Sequence, residues 1–208
     1  KAIGIQIGTD AVPTYGDGAF KFNWKLKKGG ALSLFAIGGA SEIGIVISEG
    51  YPQSFKAADI ADNQELYGEG DRDQYFGTKM VVTGLNYKKS LNEKTFLTTT
   101  VSYSYEEQHS HHDFLARSVN YADSNFVIDS IYPLMGYQFQ ISKVSAAFSI
   151  NRKINKQHLI KYGLNADLYL YNMADSVLNP GHTAFVNRWD YVGNGALIQP
   201  FIQWKWRM

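Results

Sequence analysis

Hydrophobic and polar residues alternate along most of this chain. The clearest case is His158 to Tyr171, H-L-I-K-Y-G-L-N-A-D-L-Y-L-Y. Even positions carry Ile160, Tyr162, Leu164, Ala166, Leu168 and Leu170. Odd positions carry Lys161, Gly163, Asn165, Asp167, Tyr169 and Tyr171. Period two puts one set on each face of a β-strand. The run is about twice the usual length of a strand in a soluble sandwich, and it suits a tilted crossing of a bilayer.

The same pattern predicts further strands over 18–27, 31–47, 74–88, 95–107, 134–150 and 195–207. Residues 1–8 read as the end of another. On 18–27, Phe20, Phe22, Trp24 and Leu26 oppose Lys21, Asn23 and Lys25. Gly38-Gly39-Ala40 inside the second strand predicts a bend, a bulge or a close backbone approach. A parity change near Lys143-Val144 predicts a bulge. Lys27-Lys28-Gly29-Gly30, Ser90 to Glu93 and Asn151 to His158 predict short turns. Three long polar segments, about 48–73, 108–130 and 173–193, separate the resulting hairpins. Short and long connections therefore alternate, with all short turns at one end. Membrane barrels show this asymmetry, with short periplasmic turns and long extracellular loops. Trp24, Trp204 and Trp206 fall near the short-turn end, where an aromatic girdle is expected. The fold class expected is all-β: an antiparallel transmembrane β-barrel segment of about seven long up-and-down strands.

Composition adjusts this picture little. The 208 residues carry 20 basic and 19 acidic side chains, a net +1 that points to no nucleic-acid partner. Fourteen Tyr and 12 Phe suit interfacial girdles. Cysteine is absent, so disulfides and thiolate chemistry are excluded. No run of about eighteen apolar residues exists, so no transmembrane helix is expected. The mean hydropathy of −0.25 is compatible with a barrel, because half of each strand faces a polar lumen. The chain opens mid-strand at Lys1 without a signal peptide, so a fragment of something larger is expected, its flanking strands supplied elsewhere.

Several blocks resemble the TonB-dependent outer-membrane receptors of the Bacteroidota type. Ile5-Gln6-Ile7-Gly8-Thr9 through Val12-Pro13, then Phe20-Lys21-Phe22-Asn23, is similar to their entry into a barrel hairpin. Leu32 to Gly39 is similar to the following strand. Leu66-Tyr67-Gly68-Glu69-Gly70-Asp71-Arg72-Asp73 with Tyr75-Phe76-Gly77 resembles their junction from long loop to strand. Asn151 to Asn165 resembles a later hairpin with a basic turn and a K-x-G-x-N strand. The resemblance implies that residues 1–208 form part of one 22-stranded barrel domain, here without its plug and TonB box. It implies energy-coupled import of a scarce ligand (siderophore, glycan, cofactor or peptide) across the cell outer membrane. The implied partners are outer-membrane lipid, the plug and remaining strands, the inner-membrane TonB complex acting through the plug, and a surface lipoprotein cap. The polar parities, Lys21, Asn23, Lys161, Asn165 and Asp167, would face the lumen or plug.

Candidate chemistry is sparse. His109-Ser110-His111-His112-Asp113 offers three imidazoles and a carboxylate for Zn or Cu, against the plainer reading of a solvated loop. Glu69, Asp71 and Asp73 around Arg72 lack the calcium-loop pattern and suit a charged loop pairing with Arg72. Gly68-Glu69-Gly70 is at most half a dinucleotide fingerprint. No G-x-S-x-G occurs, and no catalytic residues or cofactor are expected. Tyr67, Arg72, Phe114 and Tyr121 are the candidate ligand contacts. Their companions Tyr51, Phe55, Phe126 and Tyr132 serve stacking on a ligand or packing of loop on loop equally well. Two other functions compete: a small passive or structural barrel, porin- or adhesin-like, and a soluble all-β binding module.

Overall fold

The computed structural model describes residues 13–27, 29–50, 71–120, 122, 125–181 and 183–207. They form seven strands and one 3-10 turn: β1 (Thr14–Leu26), β2 (Gly30–Ile45), the turn Ser48–Gly50, β3 (Arg72–Asn92), β4 (Thr95–Asn120), β5 (Asn125–Lys153), β6 (His158–Leu178) and β7 (Phe185–Trp206). All pair antiparallel in one sheet of order β1-β2-β3-β4-β5-β6-β7. No α-helix occurs among the described residues. The sheet is open, with β1 and β7 as its edges.

Two long segments prove to be strand. The run 108–130 is the upper part of the β4–β5 hairpin, with Asn120 paired to Asn125. The run 173–193 lies largely in β6 and β7, which meet at Leu178 and Phe185. These strands reach 29 residues in β5, far beyond the 9–11 that cross a bilayer. The long "loops" are thus hairpins that continue the sheet. Of the first long segment, 48–50 and 71–73 are described, the last two as the start of β3, and 51–70 lie outside the described residues.

Three short turns close the other end. Gly29 takes φ of 77°, which a side chain disfavours, and so permits the β1–β2 reversal. Register runs unbroken through Gly38–Ala40, where a Cβ on Gly38 would sit 3.0 Å from the Met80 carbonyl; close approach is the reading that fits. The expected bulge at Lys143-Val144 is absent, since Lys143 pairs Ser104 and Val144 pairs Tyr103 in step. Register shifts instead at His112/Asp113, Ala116/Arg117 and Asp175/Ser176 in the distal hairpins, and at Ser90/Asn92 beside the short β3–β4 turn. The parity of apolar residues on β5 changes because the two halves of the strand have different surroundings.

Charge separates along the strands. At the short-turn end lie Lys25 and Lys27, Lys88, Lys89 and Lys94, then Arg152, Lys153, Lys156 and Lys161, with Lys205 and Arg207 on β7: eleven cations. The only carboxylate among the described residues there is Glu93. Acidic side chains gather in the distal half, among them Glu42, Asp71, Asp73, Glu106, Glu107, Asp113, Asp129 and Asp175.

Backbone direction follows from the turns. The Arg207 amide donates to the Gln157 carbonyl at 2.9 Å. Alternation along an antiparallel ladder then points the odd-numbered peptide groups of β7 at β6. The even-numbered ones, Ile198, Ile202 and Trp204 among them, point at the free edge.

Candidate functional site

Register sorts the side chains into two continuous faces. Trp24 lies opposite Leu32, which lies opposite Tyr87. Leu85 pairs Val101, Val101 pairs Ala146 and Ala146 pairs Ala166. Ala166 pairs Ile198. The apolar parities of all seven strands therefore share one face. The opposite face carries Lys21, Asn23, Asn86, Thr100, Ser145, Lys161, Asn165, Asp167 and Gln203.

Burial is inverted with respect to a soluble sheet. On β6 the apolar residues Tyr162, Leu164, Leu168 and Leu170 are exposed, Leu170 at 47%, while Lys161, Asn165 and Asp167 between them are half-buried. On β4 Val101 is 51% exposed and Ser102 and Ser104 are half-buried. Phe20, Phe22, Trp24, Val144, Phe148, Ile198, Ile202, Trp204 and Trp206 add exposed apolar surface on β1, β5 and β7; Leu32 and Leu34 of β2 are half-buried, and on the edge strands the polar residues Lys21, Asn23 and Gln203 are exposed as well. Contiguous apolar patches beyond a few hundred Å² mark an interface with lipid or a partner.

This band has two borders. At the short-turn end His158 stacks on Trp204 with centroids 5.5 Å apart and on Trp206 at 6.4 Å. Trp204 Nε1 donates to His158 Nδ1 at 3.2 Å. At the distal end a polar network crosses the same face. The Tyr105 hydroxyl and the Gln140 amide both donate to Glu107, and Lys79 Nζ lies 3.5 Å from it. These donors hold the Glu107 carboxyl down to about 2. Asn172 donates on to Gln140 at 3.1 Å.

The polar face is knit by its own contacts. Ser33 donates to Asn23 at 2.6 Å, Asn86 to Thr100 at 2.6 Å and Ser145 to Asp167 at 2.5 Å. Lys161 lies over the Phe201 ring at 5.6 Å and Lys143 over Tyr169 at 5.5 Å. Phe35 and Phe201 each cover a glycine on the facing strand, Gly84 and Gly163.

The five residues read as lumen-lining, Lys21, Asn23, Lys161, Asn165 and Asp167, do share a face. The three histidines do not. His109 and His111 point to the apolar-face side, where His109 lies 3.4 Å from Glu107 and His111 stacks on Tyr75. His112, one residue on, points the other way and bonds Ser110 at 2.9 Å. No group of three His, Cys, Asp or Glu suited to a metal occurs among the described residues. The segment alternates because it is strand, and alternation splits adjacent ligands. Zinc titration followed by histidine NMR is therefore expected to show no site that joins all three imidazoles, and His112→Ala to leave any weak zinc response of His109 and His111 unchanged.

Arg72 is held by Asp71 through two contacts, 2.7 and 3.3 Å. Asp73, 3% exposed, accepts from the amide and hydroxyl of Ser48 and so fixes the start of the β2–β3 connection. Phe114 packs on Tyr132 across the β4–β5 hairpin with centroids 5.4 Å apart. Tyr67, Tyr121, Tyr51, Phe55 and Glu69 lie outside the described residues. One cluster had no counterpart in the sequence reading. Tyr137 stacks on Phe139 at 4.8 Å, Tyr169 on Tyr171 at 6.0 Å, and Tyr171 approaches Tyr191 at 6.3 Å, all on the distal half of the polar face. The alternation placed Tyr169 and Tyr171 on that parity, but only cross-strand register brings the other rings beside them.

Comparison with protein-family models, curated proteins and solved structures finds no match.

Proposed function

We propose that this chain is a segment of an outer-membrane β-barrel of the TonB-dependent receptor type, through which a scarce ligand is imported. The observation that carries the membrane part is the inverted burial of β4, β5 and β6, which expose apolar side chains and half-bury the polar ones, on a face whose apolar parity runs through all seven strands. From Ile160 to Leu170 the band is eleven residues long. At about 3.3 Å per residue and a tilt of about 45°, that is roughly 25 Å, the height of the apolar belt of such barrels. The spanning segments are therefore short parts of the strands, such as 160–170 on β6 and 97–105 on β4, and the distal hairpins stand in water.

The import part is supported by the resemblance of the residue blocks and by the polar face. Its half-buried Asn, Asp, Lys and Ser side chains suit a hydrated lumen or a plug surface. The distal aromatics Tyr137, Phe139, Tyr169, Tyr171 and Tyr191 would line the outer vestibule.

Spin labels test the placement directly, because a chain without cysteine accepts single labels cleanly. With labels walked along 161–171 in lipid vesicles, oxygen accessibility should peak at Tyr162, Leu164, Leu168 and Leu170. Accessibility to a polar nickel reagent should peak at Lys161, Asn165 and Asp167. Accessibility without period two would overturn the reading. Receptor and passive barrel separate in planar bilayers: the plugged receptor carrying these strands stays closed without its energised partner, and a porin conducts.

A further inference from the structure

We propose that the cationic end of the sheet is a binding rim for anionic phospholipid headgroups. This rests on the membrane placement above. The rim carries eleven cations against Glu93, in a chain whose net charge is only +1. Such a separation is not a by-product of solubility, which needs no sorting of sign by end.

Five of the cations sit where headgroups would be, on the apolar face or in the turns, and the other six lie on the polar parity. Arg152 pairs Ile160, and Ile160 pairs Trp204, so this guanidinium ends a row of the apolar face. Lys89 pairs Leu97, which pairs Ile150, on the same face. Lys27, Lys94 and Lys156 lie in the three turns just beyond the band. Long cationic side chains at such a border rest their stems on apolar surface and extend the charge to the phosphate layer. Each lysine or arginine so placed favours an anionic leaflet, and the attraction fades within a Debye length.

A notch marks one place on this rim. Lys153, Lys156, Lys205 and Arg207 line a cavity of about 150 Å³ between the β5–β6 turn and the end of β7, beside His158. Lys153, Leu159 and Lys205 form one row of the polar face, so the notch opens away from Trp204 and Trp206, which are both more than half exposed on the apolar face beside Arg152. The ligand is a phosphodiester headgroup held by Lys89, Arg152 and the turn lysines, with its chains along the apolar face.

The tryptophans report on their own lipid neighbours. The protein is placed in mixed vesicles of phosphatidylcholine and phosphatidylglycerol, with the bromine label on one lipid or on the other. Brominated phosphatidylglycerol is expected to quench roughly threefold more per molecule than brominated phosphatidylcholine. The variant Lys89→Gln/Lys94→Gln/Arg152→Gln/Lys156→Gln should lose that preference while quenching by brominated phosphatidylcholine stays. Exchange of the same lysines for arginine should keep it. Equal quenching by both lipids in the unaltered protein, or a preference that survives in the glutamine variant, overturns the proposal. Loss of the preference on adding inorganic phosphate, with vesicle binding unchanged at matched ionic strength, assigns the notch to a free anion and also overturns it. Quenching by neither lipid overturns the membrane placement itself.

Discussion

Replacing Leu164 by arginine is expected to cost the inserted protein about 2–4 kcal/mol, whereas arginine at Asn165 changes stability by less than about 0.5 kcal/mol. The two positions are adjacent on β6 and on opposite faces. Leu164 lies at the middle of the apolar band and is 42% exposed on it. In water, arginine at an exposed strand position would be nearly neutral. In hydrocarbon the guanidinium must keep its hydration or leave the strand, and the cost is largest at the midplane. Asn165 faces the polar side between Lys161 and Asp167, where another long polar side chain has room. Urea unfolding from lipid vesicles measures both. Equal and small effects would mean that the apolar face meets water or protein instead of lipid.

The second large effect is expected at Gly163. A Cβ there would run into the Phe148 carbonyl oxygen and come within 2.9 Å of the Phe201 ring. The ring has a rotamer to move to; the carbonyl belongs to the sheet. Gly163→Ala should therefore destabilise at the upper end of overpacking, about 3 kcal/mol, and Phe201→Ala in the same chain should restore only a small part. At Gly84 the contacts are Phe35 Cζ at 2.7 Å, Ser102 Cβ at 2.8 Å and the Val101 carbonyl at 2.8 Å, so the same logic applies with more of the clash on side chains. Denaturation midpoints of the single and double variants decide this. Full rescue by Phe201→Ala would show that the strands can part to admit the methyl group.

What the sequence disclosed depended on whether two faces of a strand see different media. Within the apolar band they do, and alternation placed Lys21, Asn23, Lys161, Asn165 and Asp167 together on one face. It also located the short turns, since Gly29 and the polar residues around 93 and 155 interrupt the pattern. Beyond the band the contrast fades. His109 to Asp113 alternates in space but not in hydropathy, so strand there reads as loop, and three adjacent imidazoles read as one site. The distal aromatic cluster was hidden for another reason. Tyr171 and Tyr191 come from two strands, and their proximity is a product of register, which in turn depends on turn length and on bulges such as Asp175/Ser176. Arg72 looked available because the sequence shows a cation beside carboxylates without saying which of them it grips; Asp71 does, and Asp73 is turned to Ser48.

The open sheet also imposes a rule of strand arithmetic. In an up-and-down meander of seven, the first and last strands run in the same direction, so β1 and β7 are codirectional. Joined to each other, or to the opposite edge of a second copy in the same orientation, they would form a parallel seam. A wholly antiparallel closure must place an odd number of strands between them, each pairing its amides with a carbonyl-rich neighbour. The strand beside β7 would take up the free donors of Ile198, Ile202 and Trp204 and would meet one blank at Pro200, which has no amide hydrogen to give.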